Sequence, residues 1–450
     1  MTPTHDTLLP GAAPPAPRRP GWRRLAIGTV VAVAGLMTVL ALCLLSLSPV
    51  VPAPRAPDGP TAAAARDVLQ TITGEDTERG ELVRITLAQR ELDGLAALAS
   101  EALQPLRLQA RLRSVPGPER AKGAKPTPPA GEIVVDASRD MGWGLWLNAV
   151  AVVRPAAATD GTALPDIAVT IGRVPLPQSA TRWALNRIWA QTQSNSARPI
   201  PLDRAMKGFA ITPRQAGLVL VNPGRGTALW GLTRAGATNP DPKALLDAYC
   251  AIADTGQTNL AVLVRRAAAL NIPAGTTPHE HNRVVLTAVA MRAVPEYREK
   301  LAGAVWEQSL ACGASAETLT LAGREDLAKH WALSAALAAT VGSQVARSMG
   351  TWKELADSTE GGTGFSFVDL SADRSGERFA MAAVNPQLAR TVRLRLIAIT
   401  EDQMLPREAL AKPEGLDQAA FERDYTAVDS PEYARALRAI DRLLGNAGVP

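Results

Sequence analysis

Between residues 323 and 379 the sequence reads GREDLAKHWALSAALAATVGSQVARSMGTWKELADSTEGGTGFSFVDLSADRSGERF, and its ionisable residues recur at helical spacing. Asp326 and His330 stand i,i+4 on one expected helix, Glu354 and Asp357 i,i+3 on a second, and Asp369 and Asp373 i,i+4 on a third. Residues so spaced share a helix face, where like charges repel, so both acidic pairs call for a compensating cation. Two sources are open. Lys353 and Arg374 can enter the cluster and make it a structural ion-pair network, or a divalent cation can sit there, with the carboxylates as hard oxygen ligands and His330 as ligand or general base. Basic residues lie next to every acid, which favours the network. The candidate catalytic or metal-ligating residues are therefore His330, Lys353, Glu354, Asp357, Asp369 and Asp373. No cofactor is predicted; a divalent cation is the one addition this pattern admits.

Gly361-Gly362-Thr363-Gly364 separates the second helix from the third, where positive backbone φ costs little. Ser366 with Asp369 makes a capping-box-like start, and Phe365 with Leu370 a hydrophobic staple. On that plainer reading one loop-proximal acid is a cap, and Lys353, Arg374 and Arg378 neutralise the rest. The order Asp-x-x-Lys-His, Gly-x-x-Lys-Glu-x-x-Asp, then Gly-x-Gly-Phe-Ser-x-x-Asp-Leu-x-Ala-Asp-x-x-Gly resembles the YfiM-type envelope lipoproteins and is more distantly similar to the VanZ-like family. It runs through Asp326, Lys329, His330, Gly350, Lys353, Glu354 and Asp357, then Gly362, Gly364, Phe365, Ser366, Asp369, Leu370, Ala372, Asp373 and Gly376. The resemblance implies a cell-envelope address and names no reaction. WALSAALAATVGSQVA is interrupted by Ser, Thr and Gln and followed by Arg347, too short and too polar for a membrane span. This unit is therefore expected to be soluble or surface-apposed, unlike the VanZ-like form.

Other chemistry is thinner. His279-Glu280-His281 is rich in potential ligands, but adjacent side chains at a helix start point apart. No Walker loop, GxSxG elbow, HExxH or dinucleotide fingerprint occurs, which removes the commonest enzyme classes. Of three cysteines, Cys43 lies in an apolar run, leaving Cys250 and Cys312 to form a disulfide in an oxidising compartment or to stay as two buried thiols.

The elements that must position these residues divide the chain. From residue 240 it reads as helices (DPKALLDAYCAIAD, TNLAVLVRRAAALN, HEHNRVVLTAVAMR, EYREKLAGAVWEQSLA), and a helical domain is expected over 236–384. Residues 63–235 read as an α+β domain. A helix at 62–73 and a strand entering a helix over 82–103, with Thr86 as a candidate cap, precede strands at 106–113, which alternates, 132–138, which is β-branched, 146–154, which alternates in part, and 166–176. A polar hairpin loop (116–131), a helix (179–193) and strand chemistry at 208–223 complete it, and the short connections imply antiparallel neighbours. This order looks like envelope lipid-handling modules of the tubular lipid-binding sort. A C-terminal extension, 385–450, is expected to add a strand and helix over 385–410 and a last helix capped by Ser430 with Pro431 at N1.

Residues 25–47 form an uncharged apolar run of 23 residues, about 34 Å as a helix against a hydrocarbon core of roughly 30 Å, and are expected to be a transmembrane anchor. Arg18, Arg19, Arg23 and Arg24 precede it and only Arg55 follows closely, so the positive-inside rule puts the N-terminus in the cytoplasm and the bulk outside, at the inner membrane. Residues 1–24 are expected to be a disordered tail and 48–62 a Pro-rich spacer. The net charge of +5 is spread without an aromatic-interleaved basic stripe, so nucleic acid is not an expected partner. The fold class expected is α+β, a membrane-anchored antiparallel-sheet domain followed by an all-helical one. Two functions follow: a structural envelope protein whose partner is a lipid or another envelope protein, or an envelope hydrolase or transferase using the acidic/His cluster.

Overall fold

The computed structural model describes residues 22–53, 56–73, 80–115, 130–156, 164–193, 199–222, 238–313 and 315–450. Residues 1–21 of the expected tail and most of the 116–131 hairpin loop lie outside them, and the last three residues of that tail, 22–24, are helical. Helices of eight or more residues and strands of six or more are labelled here in chain order. The fold is α+β, with antiparallel sheets followed by a helical C-terminal region.

Helix α1 (Trp22–Leu44) leads the chain, with Val30, Val31, Leu36 and Leu42 exposed. Among the described residues no helix is long and apolar enough to cross a membrane. The expected spacer differs from the structure at its start. Leu45–Ser46 pairs antiparallel with Trp146–Leu147, and the amides of Val50 and Val51 donate to Ser138 Oγ at 2.9 and 3.0 Å. Residues 45–51 are thus strapped to a sheet, because their backbone groups find partners there that an extended Pro-rich linker would leave to water.

Strands β2 (Leu106–Val115), β3 (Ala130–Asp140), β4 (Trp146–Arg154) and β5 (Asp166–Ile171) make an antiparallel meander, extended by Val174–Pro175. A smaller antiparallel sheet has the order β1 (Leu82–Ala88), β7 (Gln215–Val221), β6 (Met206–Ile211). Helix α3 (Gln89–Ala102) joins the two sheets: Leu92 packs with Ala110, Ile133, Ile211 and Ala216 from both. Helix α2 (Gly59–Thr73) covers the small sheet through Val68 against Val83 and Ile85. Thr86 is not the α3 cap. Its pairing with Gly217 carries the strand on to Ala88, and Glu91 reaches back to the Ala88 amide at 2.9 Å instead. Helix α4 (Gln178–Thr192) lies against β5.

No labelled strand follows Val221 among the described residues. Helices α5 (Pro242–Ala253), α6 (Leu260–Ala268) and α7 (Pro278–Ala293) begin the helical region. The helix expected over EYREKLAGAVWEQSLA is broken into short turns, with Gly303 at φ 56. Helices α8 (Glu325–Val341), α9 (Ser343–Asp357) and α10 (Phe367–Val384) follow. Helix α7 is buried on nearly every side and forms the axis about which the others pack. Residues 385–410 supply α11 (Ala389–Ile397) and short turns in place of the expected strand, because Val392 and Leu396 meet the core at helical spacing. Helices α12 (Gln418–Tyr425) and α13 (Pro431–Asn446) end the chain, and Ser430 Oγ caps α13 by accepting from the Tyr433 amide at 3.0 Å.

The same core includes Ala62 and Ala65 of α2, so the early helices pack on the late ones. Cys250 and Cys312 are joined in a disulfide. Three of the chain's five Phe and two of its four Tyr gather where α10 begins. Phe365, Phe367, Phe421, Tyr425 and Tyr433 lie with ring centroids 4.4 to 6.2 Å apart, and this aromatic group docks α12 and α13.

Candidate functional site

Helices α8 and α10 pack closely along their length, and glycine is the reason they can. A Cβ on Gly376 would fall on the Trp331 carbonyl oxygen. Their close approach sets His330 of α8 against the first two turns of α10, where Asp369 and Asp373 stand on one face. Helix α9 brings Glu354 in from the side.

His330 is the centre of the cluster. Its Nδ1 lies 3.0 Å from Asp373 Oδ1, and its Nε2 lies 3.3 Å from Asp369 Oδ2 and 3.9 Å from Glu354 Oε1. Ser334, one turn along α8, also donates to Asp373 Oδ1 at 2.6 Å. Lys353 Nζ binds Glu354 Oε1 at 2.9 Å and Asp357 Oδ2 at 2.8 Å. Asp357 receives a second cation, Arg66 of α2, at 2.8 Å. The remaining Glu354 oxygen accepts from the Ser366 amide at 2.9 Å, while Ser366 Oγ accepts from the Asp369 amide at 3.0 Å. The cap expected of Ser366 and Asp369 is therefore split. Ser366 caps α10, but the carboxylate on its own amide comes from α9, which frees Asp369 to face the imidazole.

All six candidates thus converge, Asp357 through Lys353. Arg374 and Arg378 do not join them. Arg374 is bidentate to Asp441 of α13 at 2.9 and 2.6 Å, and Arg378 donates to carbonyls of Asp441, Val449 and Pro450. Asp326 faces Arg324, which also reaches Glu414 and approaches Asp369 Oδ1 at 3.7 Å. Of His279, Glu280 and His281 only the last turns away: Glu280 reaches back to cap α7 through Thr277, His279 Nε2 lies 3.4 Å from the same Thr277 hydroxyl, and His281 is buried.

Burial and charge oppose each other at His330, Lys353, Glu354 and Asp369. Burial disfavours the imidazolium of His330, but Asp373 and Asp369 outweigh it and raise the pKa to about 10. Burial pushes the Glu354 carboxyl up to about 7, against the pull of Lys353 and His330. Burial would raise Asp369 as well, yet the hydrogen bond and charge of His330 hold it below the usual carboxylate range. Lys353 is disfavoured by burial and lifted above the ordinary lysine value by Glu354 and Asp357.

Chemically the arrangement offers two things. As it stands it is a linked set of opposite charges, His330 between Asp373, Asp369 and Glu354, and Lys353 on Glu354, buried at His330 and Glu354 and open to water at Lys353. His330, Glu354 and Asp369 also each offer an atom lying within 4.8 Å of the others, so these three are the residues that could hold a metal ion. Asp373 Oδ2 abuts Gly350, where a Cβ would come within 2.6 Å, and faces a cleft of about 20 Å³ beside Arg374 and Glu377, room for one water molecule.

Three members escape sequence reasoning. Ser334 stands i,i+4 from His330 inside an apolar run, and that spacing is a usable signal. Arg324 precedes its helix, and Arg66 lies 291 residues from its partner, with no local mark. No protein-family model, characterised protein or solved structure matches the chain.

Proposed function

We propose that this chain is a single-pass envelope protein anchored in the inner membrane by residues 25–47, with its N-terminus cytoplasmic, and that its exported body is a non-enzymatic scaffold for a lipid or an envelope protein partner. The address rests on the apolar run and its arginine flank, and the likeness of residues 323–379 to YfiM-type lipoproteins agrees with it. The scaffold reading is carried by one observation: each charge of the His330 cluster has an opposite charge within 4 Å, and the cleft at its edge admits no more than a water. A substrate would have to break those pairs to reach Nε2. Charge pairing of this kind holds a buried cluster in one arrangement, although Asp369 Oδ1 and Asp373 Oδ2 find no hydrogen-bond partner of their own.

Carbonate extraction tests the address, since a chain released to the supernatant is not anchored. Native mass spectrometry of the full chain in mild detergent, with crosslinking in intact cells, tests the scaffold. Retained lipid or a captured envelope protein is the expected result, and neither would sink it.

One observation favours a second reading. Asp373 holds Nδ1 of His330 and so aims Nε2 at Glu354 and Asp369, the arrangement found behind metal-bound histidines. With a divalent cation there, hydrolase or transferase chemistry becomes available. Calorimetry of the full chain with Mg²⁺, Ca²⁺, Mn²⁺ and Zn²⁺ separates the two. Heat that disappears in Asp369→Asn establishes the cation, and no heat with any of them leaves the ion-pair network.

A further inference from the structure

The end of the sheet where α1 joins it carries apolar side chains that the body does not cover. Trp143, at the tip of the β3–β4 turn, is fully exposed at 101%, Met141 beside it at 53%, and Leu47 at 85%. A lone exposed apolar residue needs no account, but an indole in this setting does. Trp143 sits at φ 55, between Gly142 at φ 83 and Gly144 at φ 75. Bulky residues rarely adopt that left-handed region, and here no contact within the body offsets it. The turn itself is well fixed, with the Met141 amide on Leu145 O at 2.9 Å and the Leu145 amide on Gly142 O at 3.0 Å.

Position supplies the second observation. Leu145 of this turn shares an open groove of about 520 Å³ with Met37, Thr38, Ala41 and Leu42 of α1. At 1.5 Å per residue, Met37 lies about 10 Å back along the helix from Leu44, so the turn runs beside the last turns of the apolar helix. The neighbouring β5 turn grips the same helix end. The Arg173 amide donates to Cys43 O at 2.8 Å, and Gly172, at φ 58, packs against Leu44 where a Cβ would collide. These bonds and the Leu45–Ser46 pairing hold both turns at the helix end.

We propose that the 141–145 turn is a bilayer-seating element, with Trp143 and Met141 in the boundary between headgroups and acyl chains alongside α1. The occupant is the phospholipid surface, because the groove is continuous with α1, the helix that the proposed anchoring would place in the membrane. Tryptophan suits that depth, its ring apolar and its N–H able to meet water or a headgroup. The proposal rests on the anchoring proposed above and adds to it a second point of contact, which fixes how the body stands on the membrane.

The test uses the full chain in proteoliposomes of phosphatidylethanolamine and phosphatidylglycerol, with and without 6,7-dibrominated acyl chains. The emission of the nine tryptophans is compared between the unaltered chain and Trp143→Gly, a residue the left-handed backbone accepts. Expected is a lipid-quenched component that is lost in the variant, with iodide quenching from the aqueous phase little changed. Loss of an iodide-quenched component in its place would put the indole in water and overturn the proposal. A Trp143 shielded from both quenchers is covered by protein, which overturns it as well. Flotation separates this from failure of the anchor: a chain that stays behind when the vesicles float has no anchor, whereas one that floats with Trp143 in water has the anchor and lacks the seat. Equal melting temperatures confirm that the variant is folded.

Discussion

A buried imidazole among carboxylates makes its stability contribution in a defined pH window, and the sign can be worked out. His330 binds its proton more tightly folded, with a pKa raised to about 10, than unfolded, near its ordinary 6.5. Its contribution is fully present below the unfolded value and is lost as pH rises through the folded one. Glu354 is raised to about 7 from 4.5, the reverse of a salt-bridged carboxylate, so its contribution also fades as pH rises through that range. Asp369, held low, contributes above its ordinary value and is lost only as pH falls through its folded one. We therefore expect the urea midpoint to be higher near about pH 6 than near about pH 9, with the difference shrinking in His330→Gln. A midpoint that rises with pH would contradict the charged imidazole. The same substitution leaves Asp369 and Asp373 short of their cation and should cost about 3–5 kcal/mol in equilibrium unfolding at neutral pH. Local spacing revealed five of these residues as pairs on helix faces. It could not reveal that Asp373 rather than Asp326 takes Nδ1, because that choice depends on how deeply α8 and α10 interpenetrate.

Helix contact at that depth is a property of one glycine, Gly376. Gly376→Ala would drive a methyl into the Trp331 carbonyl, forcing α8 and α10 apart, and is expected to cost about 1–3 kcal/mol, read as a lower melting temperature. If the melt is unchanged, the crossing is looser than described. Most elements are legible because alternating and β-branched runs in β2–β5 give way to a period of about 3.6 after residue 240. Misreadings arose where that period was ambiguous or a partner lay far away. Thr86 carries a cap-like side chain, but pairing with Gly217 continued its strand. The VRLRLIAIT segment alternates like a strand, yet contacts with the helical core, among them Arg393 to Leu270 O at 2.8 Å, wind it into α11.

At the scale of the whole molecule, long-range links hold the parts together. The Cys250–Cys312 disulfide closes a separation of 62 residues, which in the chain-entropy model corresponds to about 4 kcal/mol. Reduction with dithiothreitol should lower the urea midpoint accordingly, and an unchanged midpoint would show that the bond is redundant. Trp352 Nε1 donates at 2.7 Å to Glu101, joining α9 to α3, and burial raises the Glu101 carboxyl. Trp352→Phe should therefore cost about 1–3 kcal/mol at neutral pH and less in acid, where Glu101 is protonated. A loss independent of pH would assign the effect to packing alone. The disulfide is legible in the cysteine count, but the Trp352–Glu101 pairing leaves no mark in local sequence, since the neighbours of each residue say nothing of the other.

The most distant of them, Arg66 to Asp357, sets a clock. At synthesis rates of about 5–20 residues per second, α2 exists for some 15–60 s before its partner on α9 has been made. Throughout that interval Ala62 and Ala65, fully covered in the finished molecule, have nothing from the late helices to cover them. The first-made helix of the body is thus the one that waits longest for the late half of its core, and a ribosome stalled in that stretch would present its bare face to whatever binds nascent chains.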